Sequence, residues 1–279
     1  MPSLPENVPA IDARGLTVKF PVRGGVLGKV KDYFTAVDGV SFTLEQGKIL
    51  SVVGESGCGK STLVKSLVGL VPLASGTVKL FGREVQAGKV LPDVRDKQAS
   101  HGKVKRVCDM VQMVFQDPFS SLNPRMTVEE ILTCPLVARG VAFDEARRRA
   151  CELLERVSIP AAAMDKFPHE FSGGQRQRLC IARSLTVRPK VLLCDEVTSA
   201  LDVSVQAQIL HLLDDLRNEF GLSILFISHD MQVVRAISDE VLVMYFGKVV
   251  ERGAADVVLV NPQHDYTKKL LSCVPVIRR

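Results

Sequence analysis

The chain has 279 residues, a length that suits a substantial core with an inserted subdomain, and its 46% apolar content indicates a globular protein. The net charge of +5 is mild, so nucleic acid is not required as a partner, and seven scattered cysteines without a C-x-x-C pair argue against a disulfide framework or a zinc site. No secretory signal and no apolar run of ~18 residues is visible, so we expect a protein of the reducing cytoplasm that acts outside the bilayer.

The first part of the chain predicts short strands around a loop. Residues 1–10 are Pro-rich and predict a loose arm. β-Favouring runs over 11–20 and 36–49, punctuated by glycines, predict the edge of an antiparallel sheet. Residues 21–31, between these runs, contain three glycines and several basic residues, so we expect a loop there.

A phosphate-binding loop is predicted directly after the apolar run 49–53. The sequence reads Gly54, Glu55, Ser56, Gly57, Cys58, Gly59, Lys60, Ser61 and Thr62, a match to G-x-x-x-x-G-K-[ST] that leads into a predicted helix over 62–68. Glycines let backbone N–H groups turn toward phosphates, Lys60 reaches the β- and γ-phosphates, and the Ser61 hydroxyl ligates Mg²⁺. We therefore expect the loop to bind a nucleoside triphosphate, and we interpret Cys58 as a small tolerated residue rather than a redox switch.

Strands continue after this helix until a proline interrupts them. A short strand is predicted over 77–81, and the polar segment 87–105 predicts an exposed excursion. Residues 111–115 predict a buried strand that ends before Pro118, because proline cannot donate a hydrogen bond to a sheet.

The spacing of apolar residues becomes helical from 127 to 189. Thr127 and Glu130 have the spacing of a capping box, and Asp144 is a candidate N-cap for the helix that follows it. We expect a small helical subdomain inserted between strands of an α/β core.

Strand–helix–strand alternation then resumes. Residues 191–194 form an apolar run typical of a central parallel strand, and a helix with one apolar face over 205–220 is ended by Gly221. A strand over 222–228 and a strand pair within 241–251 follow. The alternation predicts a parallel sheet with helices on its faces.

Further motifs accompany the phosphate loop in a fixed order. They are Gln116 after a strand; Phe171, Ser172, Gly173, Gly174 and Gln175, similar to the signature L-S-G-G-Q; Asp195 and Glu196 after the run 191–194; Ser199, Ala200, Leu201 and Asp202; and His229 at the end of a strand. Together these motifs resemble the ATP-binding subunits of ABC transporters over essentially the whole chain. Phe171 and Val197 depart from the family's usual Leu and Pro, and neither departure removes a catalytic group.

The resemblance implies an α/β fold, namely a P-loop NTPase with a RecA-like core, an N-terminal antiparallel β-subdomain and an inserted α-helical subdomain. We expect a flexible arm over 1–10, an ABC ATPase domain over 11–260 and a short tail over 261–279. Within the domain, 11–116 and 190–260 would form the core with its β-subdomain, and 117–189 would form the helical subdomain that carries the signature.

The resemblance also implies roles for individual residues. Glu196 would act as the base toward the attacking water, and His229 would contact the γ-phosphate, with Lys60 and Gln116 completing the catalytic group. Mg²⁺ would be held by Ser61, Gln116 and Asp195, and ATP would be bound by residues 54–62.

The implied site is shared across a dimer. In the family, the signature residues Ser172, Gly173, Gly174 and Gln175 of one subunit close over ATP held by the other. Asp202 belongs to a loop that communicates between the two sites, and it is also a candidate helix N-cap.

An aromatic platform for adenine is also implied. Phe20 matches the family's stacking position at the end of the first strand. Tyr33 and Phe34 compete for that role, and plain packing in the core is the alternative.

Two segments, 114–125 and 261–271, are similar to the oligopeptide and dipeptide importer branch in particular. Asp265 replaces the branch's usual Pro, and with Cys273 as the single cysteine of the tail we expect no iron–sulfur cluster. Close relatives handle nickel, glutathione and other solutes, so the transported solute stays open.

The implied machine works at the cytoplasmic face of the cell membrane as a peripheral subunit. Its partners would be two transmembrane permease subunits, a second ATPase subunit that is identical or different, and, indirectly, an extracytoplasmic solute-binding protein; no nucleic acid is expected. Phe119, Leu122 and Met126 are candidates for the groove that receives a permease helix, with packing in the subdomain core as the alternative.

The sequence disfavours two rival functions. A soluble ABC-type ATPase of DNA repair or translation usually has a long coiled coil or two nucleotide-binding units, and neither is seen in the sequence. A degenerate regulatory subunit without hydrolysis is disfavoured by the intact Lys60, Asp195, Glu196 and His229.

Overall fold

The computed structural model describes residues 8–24, 29–85, 93–94 and 105–272. Residues 1–7 of the predicted arm, most of the predicted excursion over 87–105, and Cys273 lie outside this part of the chain.

Strands and helices alternate along the described residues. The strands are β1 (Ile11–Gly24), β2 (Lys29–Leu44), β3 (Ile49–Val53), β4 (Ser75–Leu80), β5 (Arg83–Val85), β6 (Asp93–Val94), β7 (Lys105–Arg106), β8 (Val111–Val114), β9 (Val191–Asp195), β10 (Ser223–Ile227), β11 (Glu240–Tyr245) and β12 (Lys248–Ala254). The helices are α1 (Lys60–Leu67), α2 (Val107–Met110), α3 (Pro118–Ser121), α4 (Val128–Val137), α5 (Phe143–Arg156), α6 (Gly173–Leu185), α7 (Val203–Phe220), α8 (Met231–Ile237), α9 (Ala255–Val258) and α10 (Asp265–Ser272), with 3₁₀ turns at Ala161–Ala163 and Pro168–Glu170.

The central sheet has the strand order β12-β11-β3-β10-β9-β8. Its strands pair in parallel except β12, which runs antiparallel to β11. Every residue of β3, β9 and β10 is buried, as expected for parallel strands covered on both faces. The predicted parallel sheet and C-terminal strand pair are confirmed, and the carboxyl ends of β3, β8, β9 and β10 meet at one edge.

The second sheet is antiparallel, with the order β2-β1-β4-β5-β6-β7. The loop predicted over 21–31 is wrong for its described residues, because β1 and β2 stay paired out to Gly24 and Lys29. Their mutual ladder satisfies the backbone N–H and C=O groups, so the hairpin persists where its side chains are exposed. Gly24 therefore lies in a paired strand of a long hairpin rather than in a loop between short strands.

Helices α3 to α6 lie between β8 and β9 and form the helical insertion. Their apolar side chains, including Leu132, Leu154 and Leu179, pack in one cluster with Leu192 of β9 and Ile224 of β10. The insertion therefore shares a hydrophobic core with the central sheet.

Helix capping in the insertion matches one prediction and contradicts another. The Thr127 hydroxyl accepts the Glu130 N–H at 3.3 Å and the Glu130 carboxylate accepts the Thr127 N–H at 2.8 Å, so the capping box is confirmed. The predicted N-cap Asp144 is wrong, because α5 begins at Phe143 and Asp144 lies in its first turn. A carboxylate is favourable in a first turn through the helix dipole, without capping.

The last third of the chain includes a helix that the sequence reading missed. Gly221 ends α7 as predicted, with φ of 61° in the left-handed region. Residues 261–279 were expected to form a short tail, yet α10 occupies part of them and buries Tyr266 and Thr267. Within the described residues, no helix combines the length and the apolarity needed to cross a membrane.

The capping box predicts the effect of one substitution on stability. Thr127→Ala should lower the free energy of unfolding by about 1 kcal/mol, because the N–H of Glu130 loses its acceptor. Thr127→Ser retains a hydroxyl and should stay close to the unsubstituted chain. Urea unfolding of the three proteins measures the difference, and equal stability of the Ala and Ser variants would contradict the assigned cap.

Candidate nucleotide-binding site

The predicted phosphate loop lies between β3 and α1, as its sequence requires. Gly54 and Gly59 have φ values of 150° and 106°, in the region that side chains rarely adopt. A Cβ on Gly54 would lie 2.2 Å from the Met244 carbonyl oxygen, and one on Gly59 would lie 2.3 Å from that of Ala36. Glycine is therefore required at both positions, because the loop passes directly against the backbones of β11 and β2.

Lys60 is buried, and its ammonium is held inside the loop. The side chain is 4% exposed, and Nζ donates to the carbonyl oxygens of Gly54 at 2.8 Å and Glu55 at 2.9 Å. A buried cation requires such partners. The loop thus holds one positive charge among its own backbone groups, where phosphate oxygens are expected.

Cys58 is 7% exposed, and burial raises the pKa of its thiol, although Lys60 opposes that effect. A raised pKa means little thiolate at neutral pH. This agrees with a small packed residue rather than a redox switch.

Ser61 and Asp195 form a pair of oxygen ligands at the sheet edge. The Ser61 hydroxyl donates to Asp195 Oδ1 at 2.7 Å, and Asp195 is 3% exposed. Burial raises the pKa of this carboxyl, so its ionised form would gain from a nearby divalent cation. A hydroxyl and a carboxylate oxygen suit Mg²⁺, and these residues therefore fit the predicted ion.

Lys65 also contributes a charge to the site beside Asp195, and the sequence analysis did not identify it. Its ammonium lies 4.0 Å from Asp195 Oδ2, and it lies four residues after Ser61 on the same face of α1. That helical spacing is the signal that would have identified it.

Three predicted catalytic side chains converge at the ends of three adjacent strands. Glu196 Oε2 accepts a hydrogen bond from Gln116 Nε2 at 3.0 Å and lies 3.5 Å from His229 Nδ1. Glu196 has φ of 48°, a strained value for this residue type, and its N–H donates to the Ile227 carbonyl. The backbone therefore fixes the position of Glu196 at the strand end, and the Gln116 amide holds its carboxylate.

The signature residues open α6 at the molecular surface. Ser172 caps the helix by accepting the Gln175 N–H, and Gln175 Oε1 accepts the Ser172 N–H at 3.0 Å. Both side chains are exposed. A Cβ on Gly174 would lie 2.5 Å from Val205 Cγ1, so glycine permits the close contact between α6 and α7. The neighbouring Gly173 is only partly buried.

Asp202 is the N-cap of α7, as the sequence suggested. Its carboxylate accepts the Val205 N–H at 3.0 Å and the Ser204 hydroxyl at 2.7 Å. These bonds, led by that of Val205, lower the pKa of Asp202. Its role between two sites remains a prediction.

The adenine candidates lie on the β1–β2 hairpin. Phe20, Tyr33 and Phe34 are 39%, 57% and 59% exposed, so the alternative of core packing is wrong for all three. Phe20 lies directly opposite Phe34 in the ladder. The hairpin also approaches the phosphate loop, because β2 carries Ala36, whose carbonyl contacts Gly59.

The three residues predicted to line a groove for a permease helix differ in exposure. Phe119 is 59% exposed, with the Arg176 guanidinium 4.2 Å from its ring centre. Leu122 is 2% exposed and packs in the core, so it is wrong as a surface-groove residue. Met126 is partly buried against the same core.

Tyr266 also contacts the phosphate loop, and the sequence analysis did not identify it as part of the site. Its hydroxyl accepts the N–H of Glu55 in the phosphate loop at 2.9 Å, across 211 residues of sequence. The segment 261–271 was noted only for its similarity to a branch of proteins, and nothing in its sequence points to the loop.

Comparison with a family model and comparison with individual known proteins agree on the family that this chain resembles. Residues 37–199 match the model of the ABC transporter family. The glutathione import ATP-binding protein GsiA of Salmonella typhimurium is 46% identical over 275 residues, and that of Pectobacterium atrosepticum is 45% identical over 269 residues. The alignments cover 97% and 96% of this chain but 42% and 41% of those relatives, so the chain spans less than half of their length.

Solved structures share the fold. CbiO1 from Clostridium perfringens, part of the ABC transporter complex CbiONQ, gives a TM-score of 0.72 at 27% identity over 91% of this chain and 92% of that one. The ATP-binding cassette MJ0796, solved as a dimer bound to ADP and Pi, gives 0.70 at 26% identity over 88% and 98%. The predicted P-loop α/β fold is confirmed.

The buried carboxyl of Asp195 predicts a gain in stability on its removal. Without divalent cations or nucleotide, Asp195→Asn should raise the free energy of unfolding at neutral pH, because burial penalises the ionised carboxylate in the folded state. Since the folded chain binds this proton more tightly than the unfolded chain, the gain should be absent below the ordinary pKa of 3.8 and should grow as the pH rises above it. Urea unfolding in a chelator measures it.

Asp117→Asn is the matched control, because its effect on the free energy of unfolding at neutral pH should be opposite in sign to that of Asp195→Asn. The N–H of Phe119, with Ser120, lowers the pKa of Asp117, so the ionised form stabilises the folded chain and the substitution should reduce stability at neutral pH. That loss should vanish as the pH falls below 3.8 through the lowered pKa. A loss of stability in Asp195→Asn at neutral pH would contradict the conclusion that burial penalises the ionised Asp195 carboxylate.

Proposed function

This chain belongs to the ABC transporter family, and we propose that it is the subunit that binds and hydrolyses ATP to energise an importer. The observation that carries the proposal is the convergence of Glu196, Gln116 and His229 at the sheet edge that also holds the Ser61–Asp195 pair. Relatives at 45–46% identity are import ATP-binding proteins, which supports the direction of transport.

Nucleotide binding is assigned to the phosphate loop. N–H groups of residues 54–62 surround the phosphates, and the Lys60 ammonium, held in place by the Gly54 and Glu55 carbonyls, also donates to phosphate oxygens. Ser61 and Asp195, with Gln116, would hold Mg²⁺, which when bound neutralises charge on the phosphates. Phe20, paired with Phe34, offers an exposed aromatic surface for adenine.

Hydrolysis is assigned to Glu196. Its carboxylate accepts the proton of the attacking water, and the Gln116 amide at 3.0 Å fixes the carboxylate's orientation. His229, whose side chain is 58% exposed beside that carboxylate, is free to reach toward the terminal phosphate. The strained backbone of Glu196 holds the base at the strand end.

The site is completed by a second subunit in a head-to-tail dimer. Ser172 and Gln175 bond to each other at an exposed helix N-terminus, where the helix dipole favours an anion. Gly173 leaves the backbone at the start of that helix partly accessible, and Gly174 lets α6 pack closely against Val205 of α7. Asp202, at the start of the neighbouring helix, would communicate between the two sites.

Transport requires partners beyond this chain. Two permease subunits would dock near Phe119 on the helical insertion, and an extracytoplasmic binding protein would deliver the solute; the subunit would sit on the cytoplasmic face of the membrane. The solute class we propose is short peptides, which includes the tripeptide glutathione named for the relatives. Nickel or another small solute is the alternative within the same machine.

Glu196→Gln separates binding from hydrolysis. ATP affinity should stay within about threefold, because the amide keeps the shape and an acceptor for Gln116, while hydrolysis should fall by about 10²-fold or more. The variant should accumulate as an ATP-bound dimer on size exclusion. Lys60→Ala is the companion, and it should weaken ATP binding itself. Turnover of Glu196→Gln at the unsubstituted rate would show that another group is the base.

Co-purification from membranes tests the assigned partners. The tagged chain, with Glu196→Gln to retain the assembled state, should be recovered with two permeases and a second ATPase subunit. ATPase activity of the unsubstituted assembly should then rise on adding the cognate binding protein with a short peptide or glutathione. Recovery on ribosomes or DNA would overturn the importer, and stimulation by nickel alone would overturn the peptide class.

A further inference from the structure

The peptide unit between Gly54 and Glu55 is held at both ends. Its N–H, from Glu55, donates to the Tyr266 hydroxyl at 2.9 Å, and its carbonyl, from Gly54, accepts from Lys60 Nζ at 2.8 Å. The N–H and C=O of a trans peptide point in opposite directions, so holding one end sets the direction of the other. Glycine at position 54 would otherwise leave this unit free to rotate.

Tyr266 is held rigidly enough to serve as the fixed end. The Glu251 carboxylate accepts the N–H groups of Gln263 at 2.7 Å and His264 at 3.1 Å, which anchors the start of α10 on β12. The Tyr266 ring is 8% exposed and lies 4.1 Å from the Tyr245 ring. The hydroxyl therefore has little freedom of position.

The packing of α10 joins this contact to the rest of the site. Tyr266 shares an apolar cluster with Val53, the residue before Gly54, and with Met231, two residues after His229. Burial also raises the pKa of the Tyr266 hydroxyl, which stays neutral at physiological pH. A neutral hydroxyl accepts the N–H without adding a second charge near Lys60.

We propose that Tyr266 is a positioning residue for ATP binding, which aims the Gly54 carbonyl at Lys60 and so sets where the Lys60 ammonium meets the phosphates. The inference rests on the proposed function, because it assigns Lys60 to phosphate. The contact makes α10 part of the nucleotide site.

Tyr266→Phe tests the contact, because it removes the hydroxyl and keeps the ring. The dissociation constants for ATP and ADP on the 279-residue chain, measured by fluorescent-nucleotide displacement, should each rise about 3- to 10-fold. Tyr245→Phe is the matched control, since within the described part of the chain the Tyr245 hydroxyl makes no hydrogen bond. It should bind as the unsubstituted chain does. Equal affinities for the two variants would overturn the proposal.

A second variant tests the same contact by weakening the anchor that holds the start of α10. Glu251→Gln removes one of the acceptors that hold the start of the helix and should raise both constants in the same direction, by less than Tyr266→Phe. Unchanged affinity in this variant, with Tyr266→Phe also unchanged, would show that α10 does not position the loop.

A double-mutant cycle with Lys60→Ala separates positioning through Lys60 from general packing. If Tyr266 acts through Lys60, adding Tyr266→Phe to Lys60→Ala should change the dissociation constants by less than about twofold. Full multiplication of the two effects would overturn the proposed route. Failure of the unsubstituted chain to bind ATP would overturn the proposed function itself, whereas normal binding with an unaffected Tyr266→Phe would overturn only this inference.

Discussion

The buried ammonium of Lys60 is the constraint on which the site depends. A cation that is 4% exposed must have acceptors, and the loop supplies two of its own carbonyls. The loop turns at glycines that lie against the backbones of β2 and β11, and this turn lets those carbonyls point inward. The two sheets therefore meet at the phosphate loop, and a substitution at Gly54 or Gly59 would disturb both.

The parallel sheet brings the remaining chemistry to the same edge. Asp195 ends β9, and Gln116 and His229 follow β8 and β10, which flank β9 in the sheet although the three strands are far apart in sequence. Parallel pairing aligns their carboxyl ends. The result is two neighbouring pairs, Ser61 with Asp195 and Gln116 with Glu196, one suited to a metal ion and one to water.

The signature residues lie at the start of α6, in an environment different from that of the sheet edge. Ser172 and Gln175 complete the capping of α6 on the helical insertion and remain exposed. Phe119 lies on the same insertion, and the Arg176 guanidinium, in the first turns of α6, covers its ring. This contact links the surface proposed for a permease with the helix proposed to face a partner's nucleotide.

Local patterns in the sequence determined the phosphate loop, the parallel strands, the capping box at Thr127 and the cap at Asp202, because each depends on residues close together in the chain. The hairpin beyond residue 20 was missed because its ladder, rather than its composition, satisfies the backbone. Only the tertiary structure decided that Leu122 lies in the core, that Phe20 and Phe34 are both exposed and opposite each other in the ladder, and that the Tyr266 hydroxyl contacts the phosphate loop. These outcomes depend on contacts between distant segments, and neither spacing nor propensity encodes such contacts.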